Sequence, residues 1–170
     1  LSSTNDEARE FAKEGKYNLV VVGEKQEKGR GRFGREWSSK IGGLYATIVL
    51  KEKDLDKAKY LTFIAAVSVA KIIRKIANLD ARVKWPNDVL INHKKACGIL
   101  TETIVGKENY ALVGIGLNVN QEKFPKTIIR NSTSLKMESN KNYNIKNISK
   151  LIIKEFNNLY FHYNVKITKK

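Results

Sequence analysis

The chain holds a single cysteine, Cys97, so no intramolecular disulfide can form, and the residue fits a reducing compartment. No stretch approaches the roughly 20 consecutive apolar residues that a membrane span needs. The first residues, Leu1-Ser2-Ser3-Thr4-Asn5, turn polar at once and contain no apolar secretory core. No internal repeat, domain linker or low-complexity tract divides the 170 residues. Together these absences predict one soluble, cytoplasmic domain spanning 1–170, long enough for a proper core. Acidic residues are also scarce, 17 against 32 Lys and Arg, for a net charge of +15. That excess invites a nucleic-acid reading. However, Lys outnumbers Arg 25 to 7, and the basic residues are dispersed. Positions 121–170 carry 11 Lys and Arg against 3 acids, which supplies +8 of the +15. A solvated basic tail accounts for this as well as a binding face does, and either produces a field that attracts anionic substrates.

What is present concentrates at Gly29-Arg30-Gly31-Arg32-Phe33-Gly34-Arg35-Glu36-Trp37. A core has no use for that composition. Glycine lets a backbone approach closely, and arginine offers a permanent charge on a planar fork suited to carboxylate or phosphate. The stretch reads as a grip for an anionic ligand. It is not a Walker A loop, because the closing Gly-Lys-Ser/Thr is missing.

Around it the chain alternates helix and strand signals. Thr4 with Glu7 fits a capping box opening a helix that ends near Gly15. Asn18 to Gly23 reads as a buried strand, and Leu44 to Leu50 as another. A long helix runs from Asp54 to about Asn78, with Leu61, Ile64, Ala65, Ser68, Ile72 and Ile76 on one stripe. From Arg82 the pattern becomes short strands: 82–85, 88–91, 95–104 and 110–117, joined by turns too short for crossovers. Such connections predict an antiparallel meander. A final helix centres on Ile148, Leu151, Ile152, Phe156, Leu159 and Tyr160, and 127–147 gives little signal.

Four polar or glycine-rich stations interrupt these elements. They are Ser3-Thr4-Asn5, the Arg/Gly loop, Lys84-Trp85-Pro86-Asn87-Asp88 with Lys95, and Gly114-Ile115-Gly116-Leu117-Asn118. Gly114 and Gly116 share one strand face, leaving a slot where a flat ligand could lie.

In order and spacing these stations, with Gly98-Ile99-Leu100, resemble the catalytic domain of biotin–protein ligases, over roughly residues 1–120. The resemblance implies an α+β fold: a mixed, largely antiparallel sheet flanked by helices, like that of class II aminoacyl-tRNA synthetases. It implies ATP-dependent activation of biotin to biotinyl-5′-AMP, then transfer to a lysine of a biotin carboxyl carrier domain. By the same resemblance Arg32, Lys95 and Asp88 are catalytic. Ser3, Thr4, Asn5, Gln26, Gly29, Arg30, Gly31, Gly98, Gly114 and Gly116 join Arg32 and Lys95 in holding biotin. Arg35, Trp37, Lys84, Asn87 and Asn118 serve ATP with Arg32, Trp37 and Asn118 being assigned to adenine. Mg²⁺ is expected with ATP, although no carboxylate cluster marks its ligands. The loop is expected to be mobile without ligand and to close over biotin. The family's habit of pairing through the sheet beside its active site implies a homodimer. No N-terminal helix-turn-helix precedes Ser3, so specific DNA binding is not expected, and no C-terminal small β domain is evident. Phe33 departs from members that carry a basic residue there. A lipoate or octanoyl ligase of the same fold and a nucleic-acid-binding module are the competing readings. The Gly-Arg-Gly-Arg loop and Lys-Trp-Pro-Asn-Asp favour biotin.

Overall fold

The computed structural model describes residues 1–167. Six strands form one sheet: β1 (Leu19–Gly23), β2 (Gly43–Lys51), β3 (Ala81–Lys84), β4 (Asp88–Ile91), β5 (Lys94–Ile104) and β6 (Tyr110–Asn118). Their order is β1-β2-β6-β5-β4-β3, and every ladder is antiparallel. Among the described residues the one parallel pairing is an isolated bridge between Lys95 and Ser132. The expected meander is therefore present from β3 to β6, with β2 and β1 added at the far edge of β6.

Helices α1 (Thr4–Lys13), α2 (Ala58–Ala77), α3 (Leu135–Ser139) and α4 (Ile145–Ile167) complete the fold. One face of the sheet carries α2 and α4. Its core joins Leu61, Ala65, Val69 and Ile73 of α2 to Ile152 and Phe156 of α4 and to Ala46, Ile48, Ile99, Val113 and Ile115 of the sheet. The three- and four-residue spacing of the α2 positions is what places them on one stripe. The opposite face receives α1, whose Ala8 and Ala12 pack on Val21, Val49, Tyr110 and Leu112. Strand β2 is covered on both sides, which explains its nearly unbroken apolar sequence.

Several local expectations are refined. The α1 cap is Ser3, not Thr4: the Ser3 side chain accepts from Asn5 N, and Glu7 N bonds the Ser3 carbonyl. Asn18 is left-handed at φ 57 and precedes the strand. A 3₁₀ turn over Leu55–Lys57 leads into α2, and Asn78, left-handed at φ 52, ends it. Asn92 and His93, both at positive φ, make the two-residue turn between β4 and β5, the geometry that matches strand twist. The weak region 127–147 contains a 3₁₀ turn (Ile129–Asn131) and α3. Among the described residues no helix is long and apolar enough to cross a membrane.

Cys97 lies in the α2-side core with no exposed surface. Burial pushes its thiol pKa up, so thiolate is scarce at ordinary pH. A disulfide reagent at pH 8 is expected to modify Cys97 at least about a hundredfold more slowly in the folded chain than in denaturant. Equal rates would mean that this core is open.

Candidate active site

The face that carries α1 is not covered along its whole length. Pairing across the sheet aligns Gly23, Tyr45, Gly116, Gly98, Asp88 and Lys84 in one row. The neighbouring row aligns Val21, Thr47, Gly114 and Leu100. Gly98 and Gly116 thus face each other across β5 and β6, with Gly114 two residues along β6 on the same face, making a floor of bare backbone. A Cβ on Gly114 would collide with the Asn5 side chain, and one on Gly116 would lie 2.7 Å from Trp37 Cε2. A Cβ on Gly98 would come 3.2 Å from both Trp37 Cζ3 and Lys95 Cε. The indole of Trp37 accordingly rests on Gly116 and Gly98, and its buried Nε1–H has no hydrogen-bond partner.

Strict alternation would put Lys95 and Gly98, three residues apart, on opposite faces. The register of β4 on β5 slips between Val89 and Leu90: Leu90 faces Lys95, but Val89 faces Cys97. Ala96 is the extra residue of this β-bulge, and it buries in the core with Cys97. The bulge turns Lys95 onto the glycine face. There Lys95 Nζ is 2.7 Å from Asp88 Oδ1 and 5.2 Å from the centre of the Trp37 ring. The Lys95 main chain is held on its other side too, by the bridge to Ser132 and by Thr133 N bonding its carbonyl at 3.0 Å.

A polar wall stands over the floor. Thr4 N and Oγ1 donate to Gln26 Oε1 at 2.7 and 3.1 Å, and Gln26 Nε2 donates to Ser39 Oγ at 2.8 Å. Thr47 lies in the middle of β2, opposite Gly114. Its hydroxyl donates to Asn5 Oδ1 at 2.6 Å and sits 2.9 Å from Thr4 Oγ1. Asn5 Nδ2 donates to Glu102 Oε2 at 2.8 Å.

The Arg/Gly loop folds as a small hairpin. Arg30 and Glu36 form an antiparallel bridge, Gly31 N bonds Arg35 O, and Trp37 N bonds Gly29 O. At its tip Phe33 is left-handed at φ 57 and exposed, with the Arg32 guanidinium 4.9 Å from its ring centre. Arg32 also donates to Asn87 Oδ1 at 3.2 Å, and Asn87 Nδ2 donates to Ile99 O. Arg30 instead pairs with Asp6 at 2.5 Å and Glu102 at 3.3 Å. Its pKa is held above the ordinary value, chiefly by the hydrogen bond to Asp6, with burial opposing.

The resulting cleft, about 50 Å³, is lined by Ser3, Thr4, Asn5 and Gln26 on one wall and by Arg30, Gly31, Arg32 and Trp37 of the loop. Asn87, Lys95, Gly98, Ile99, Leu100, Gly114, Ile115 and Gly116 complete it. Most residues singled out in the sequence are thus brought together. Asp88 reaches it through Lys95. Others stand apart: Arg35 is exposed, Lys84 is exposed at the far end of the glycine row, and Asn118 is buried, donating to Thr133 O. Gly29 lies behind the loop, where a Cβ would clash with Ser39 and the Trp37 carbonyl. Sequence reasoning missed Thr47, Asp6 and Glu102. Thr47 could have been found as the one threonine inside the apolar run of β2. A wider groove of about 630 Å³ opens from Arg32 and Asn87 toward Lys59, Phe63 and Trp85.

Residues 1–120 match the model of the biotin/lipoate A/B protein ligase family. The chain belongs to that family. It is 41% identical over 142 residues to the bifunctional ligase/repressor BirA of Bacillus subtilis, covering 79% of this chain and 44% of that protein. It is 36% identical over 121 residues to the biotin–[acetyl-CoA-carboxylase] ligase of Paracoccus denitrificans, covering 69% of this chain and 50% of the relative. Among solved structures, a biotin protein ligase from Aquifex aeolicus in complex with biotin and ATP superposes with a TM-score of 0.84 at 33% identity. That match covers 92% of this chain and 66% of the other. The chain therefore spans about half or less of these curated relatives' lengths. The superposition supports the α+β assignment, with the sheet's ladders antiparallel throughout.

Replacing Thr47 with valine would leave the buried Asn5 Oδ1 without its donor. We expect Thr47→Val to lower unfolding free energy by about 1–3 kcal/mol in denaturant titration. A loss of less than about 0.5 kcal/mol would show that Asn5 finds another donor.

Proposed function

We propose that the chain activates biotin with ATP to biotinyl-5′-AMP and passes the biotinyl group to a lysine of a biotin carboxyl carrier domain. The observation that carries this reading is the bare glycine floor beneath a polar wall, with Arg32 and Lys95 both lining the cleft and Asp88 paired to Lys95. A flat bicyclic ring needs the floor, its buried ureido atoms need the wall, and a carboxylate attacking a phosphate needs the cations. Family membership and the relatives, among them a biotin–[acetyl-CoA-carboxylase] ligase and a biotin protein ligase, point the same way.

In the first step a biotin carboxylate oxygen bonds to the α-phosphorus and pyrophosphate leaves. Two anions approach, and Lys95 and Arg32 offset both their repulsion and the charge that builds at the phosphorus. Lys95 would exchange Asp88 for the ligand. Thr4, Ser3, Asn5 and Gln26 would bond the ureido group. Arg32 and Lys59 also border the wide groove, where the pyrophosphate portion would extend. Arg35, Lys84 and Asn118 would serve the nucleotide from outside the cleft described above. Among the described residues no group of three metal-ligating side chains exists, so Mg²⁺ would ride chiefly on the ATP phosphates. In the second step the acceptor amine attacks the acyl carbon, the amide forms and AMP leaves. Asp88, freed from Lys95, would take the proton of that amine.

A cleft of about 50 Å³ lies below the usual lower bound of ~300 Å³ for ligand sites. Biotin would therefore enter by moving the 29–37 hairpin, and the Trp37 indole would shift from the glycines. Trp37 would then pack on the adenylate and keep water away from it.

Lys95→Ala is expected to slow pyrophosphate release with biotin and ATP by about 10²–10³ while ATP binding changes little. Asp88→Ala should spare adenylate formation more than transfer to a carrier domain. Unchanged adenylate yield in the first variant, or loss of the first step alone in the second, would remove that residue from its role. Activity with lipoate in place of biotin would overturn the substrate assignment.

A further inference from the structure

Lys95 lies just past the end of the β5–β6 ladder, whose last pair is Cys97 with Leu117. Residues 132–133 stand where β6 no longer pairs: Ser132 bridges Lys95, and Thr133 N donates to the Lys95 carbonyl at 3.0 Å. Through its own carbonyl the same Thr133 accepts from Asn118 Nδ2 at 3.0 Å. One short segment thus fixes both the lysine that lines the cleft and the asparagine assigned to the nucleotide. That segment belongs to no helix or strand, so it needs an anchor of its own. Thr133 is fully buried, where a hydroxyl without a partner is costly. It donates to Glu138 Oε1 on α3, while Glu138 Oε2 accepts from Asn92 Nδ2 at 2.6 Å. Asn92 lies in the β4–β5 turn, three residues before Lys95. An ionised carboxylate only accepts, which suits two donors arriving on separate oxygens. Glu138 therefore ties Thr133 to the turn of the hairpin that carries Asp88 and Lys95.

We propose that Glu138 is a positioning residue: it braces Thr133 against the β4–β5 turn and thereby sets where the Lys95 ammonium and the Asn118 amide stand. Its effect on adenylate formation rests on the ligase reading above. Its partners Thr133 and Asn92 do not line the cleft, so it acts on the cleft through the segments they belong to. Without the carboxylate the buried Thr133 hydroxyl loses its acceptor, and the 132–133 segment must shift to find another. Lys95 then loses its fixed neighbour on the side where β6 offers none. A displacement on the order of 1 Å at a reacting group costs up to about 10²-fold in rate. Glutamine fits the same place. Its oxygen accepts from Thr133, and the exposed Asn92 can turn its own amide to accept from the new NH₂.

The test compares Glu138→Ala, Glu138→Gln and Lys136→Ala in the full chain. Lys136 is the control: it lies on the same helix, but its side chain pairs with Glu122. Without ligand, hydrogen exchange at the Thr133 amide, which the Lys95 carbonyl holds, is expected to be about tenfold faster in Glu138→Ala. In the other two variants it should stay within about twofold of the parent. Equal exchange in Glu138→Ala and the parent, or equal acceleration in Lys136→Ala, would overturn the brace. With biotin and ATP, Glu138→Ala should release pyrophosphate with kcat lowered about tenfold and KM for ATP raised about threefold. Glu138→Gln should restore both. Simple loss of folded protein would lower kcat and leave KM where it was. Faster exchange with kcat and KM like the parent's would refute the positioning of Lys95 and Asn118. Failure of glutamine to restore them would assign the effect to the lost charge and sink the brace. No pyrophosphate from the parent chain would refute the ligase reading, and amide exchange would still decide the brace.

Discussion

A patch of sheet without side chains is the constraint on which the rest depends. Gly98 and Gly116 pair across β5 and β6, Gly114 follows on the same face of β6, and anything larger there meets Trp37, Lys95 or Asn5. Such a patch forfeits apolar burial, so other elements must frame it. The opposite face is filled by α2 and α4, and the same face is closed beyond the glycines by α1. The N-terminus of α1 therefore stands at the edge of the patch, which is why Ser3, Thr4 and Asn5 are both helix start and cleft wall.

Charge is arranged with the same economy. The chain has many cations, yet the cleft is not simply basic. Lys95 is matched by Asp88, and Arg30 by Asp6 and Glu102, while Arg32 rests on the neutral Asn87. Pairing lowers the cost of keeping these groups close to one another and to a shallow apolar floor. It also divides their work. Among the described residues Arg32 meets an amide and an aromatic ring but no carboxylate, which leaves its charge more available to an incoming anion than that of Lys95 or Arg30.

Much of this was legible in the sequence because it rests on periodicity and turns. The meander from β3 to β6, the α2 stripe and the two exposed turns follow from spacing and from Asn and Gly placement. The stations that converge on the cleft were also readable, as composition that no core needs. What escaped depends on long-range register. No rule of alternation puts Lys95 beside Gly98; only the extra residue at Ala96 does. Thr47 and Glu102 take their meaning from partners 42 and 97 residues distant, which the sequence does not announce. The cap shifted from Thr4 to Ser3 for the same reason: the Thr4 hydroxyl is occupied by Gln26 and Thr47.

The doubly held main chain of Lys95 has a kinetic consequence. β4 binds it on one side, and the 132–133 segment on the other. With its backbone fixed, its ammonium can leave Asp88 only by turning about its own side-chain bonds. Such rotations take picoseconds to nanoseconds when unhindered, whereas loop motions take nanoseconds to microseconds. The lysine can therefore change partners many times within one opening of the hairpin, so its choice between Asp88 and an anion stays at equilibrium while the loop sets the pace.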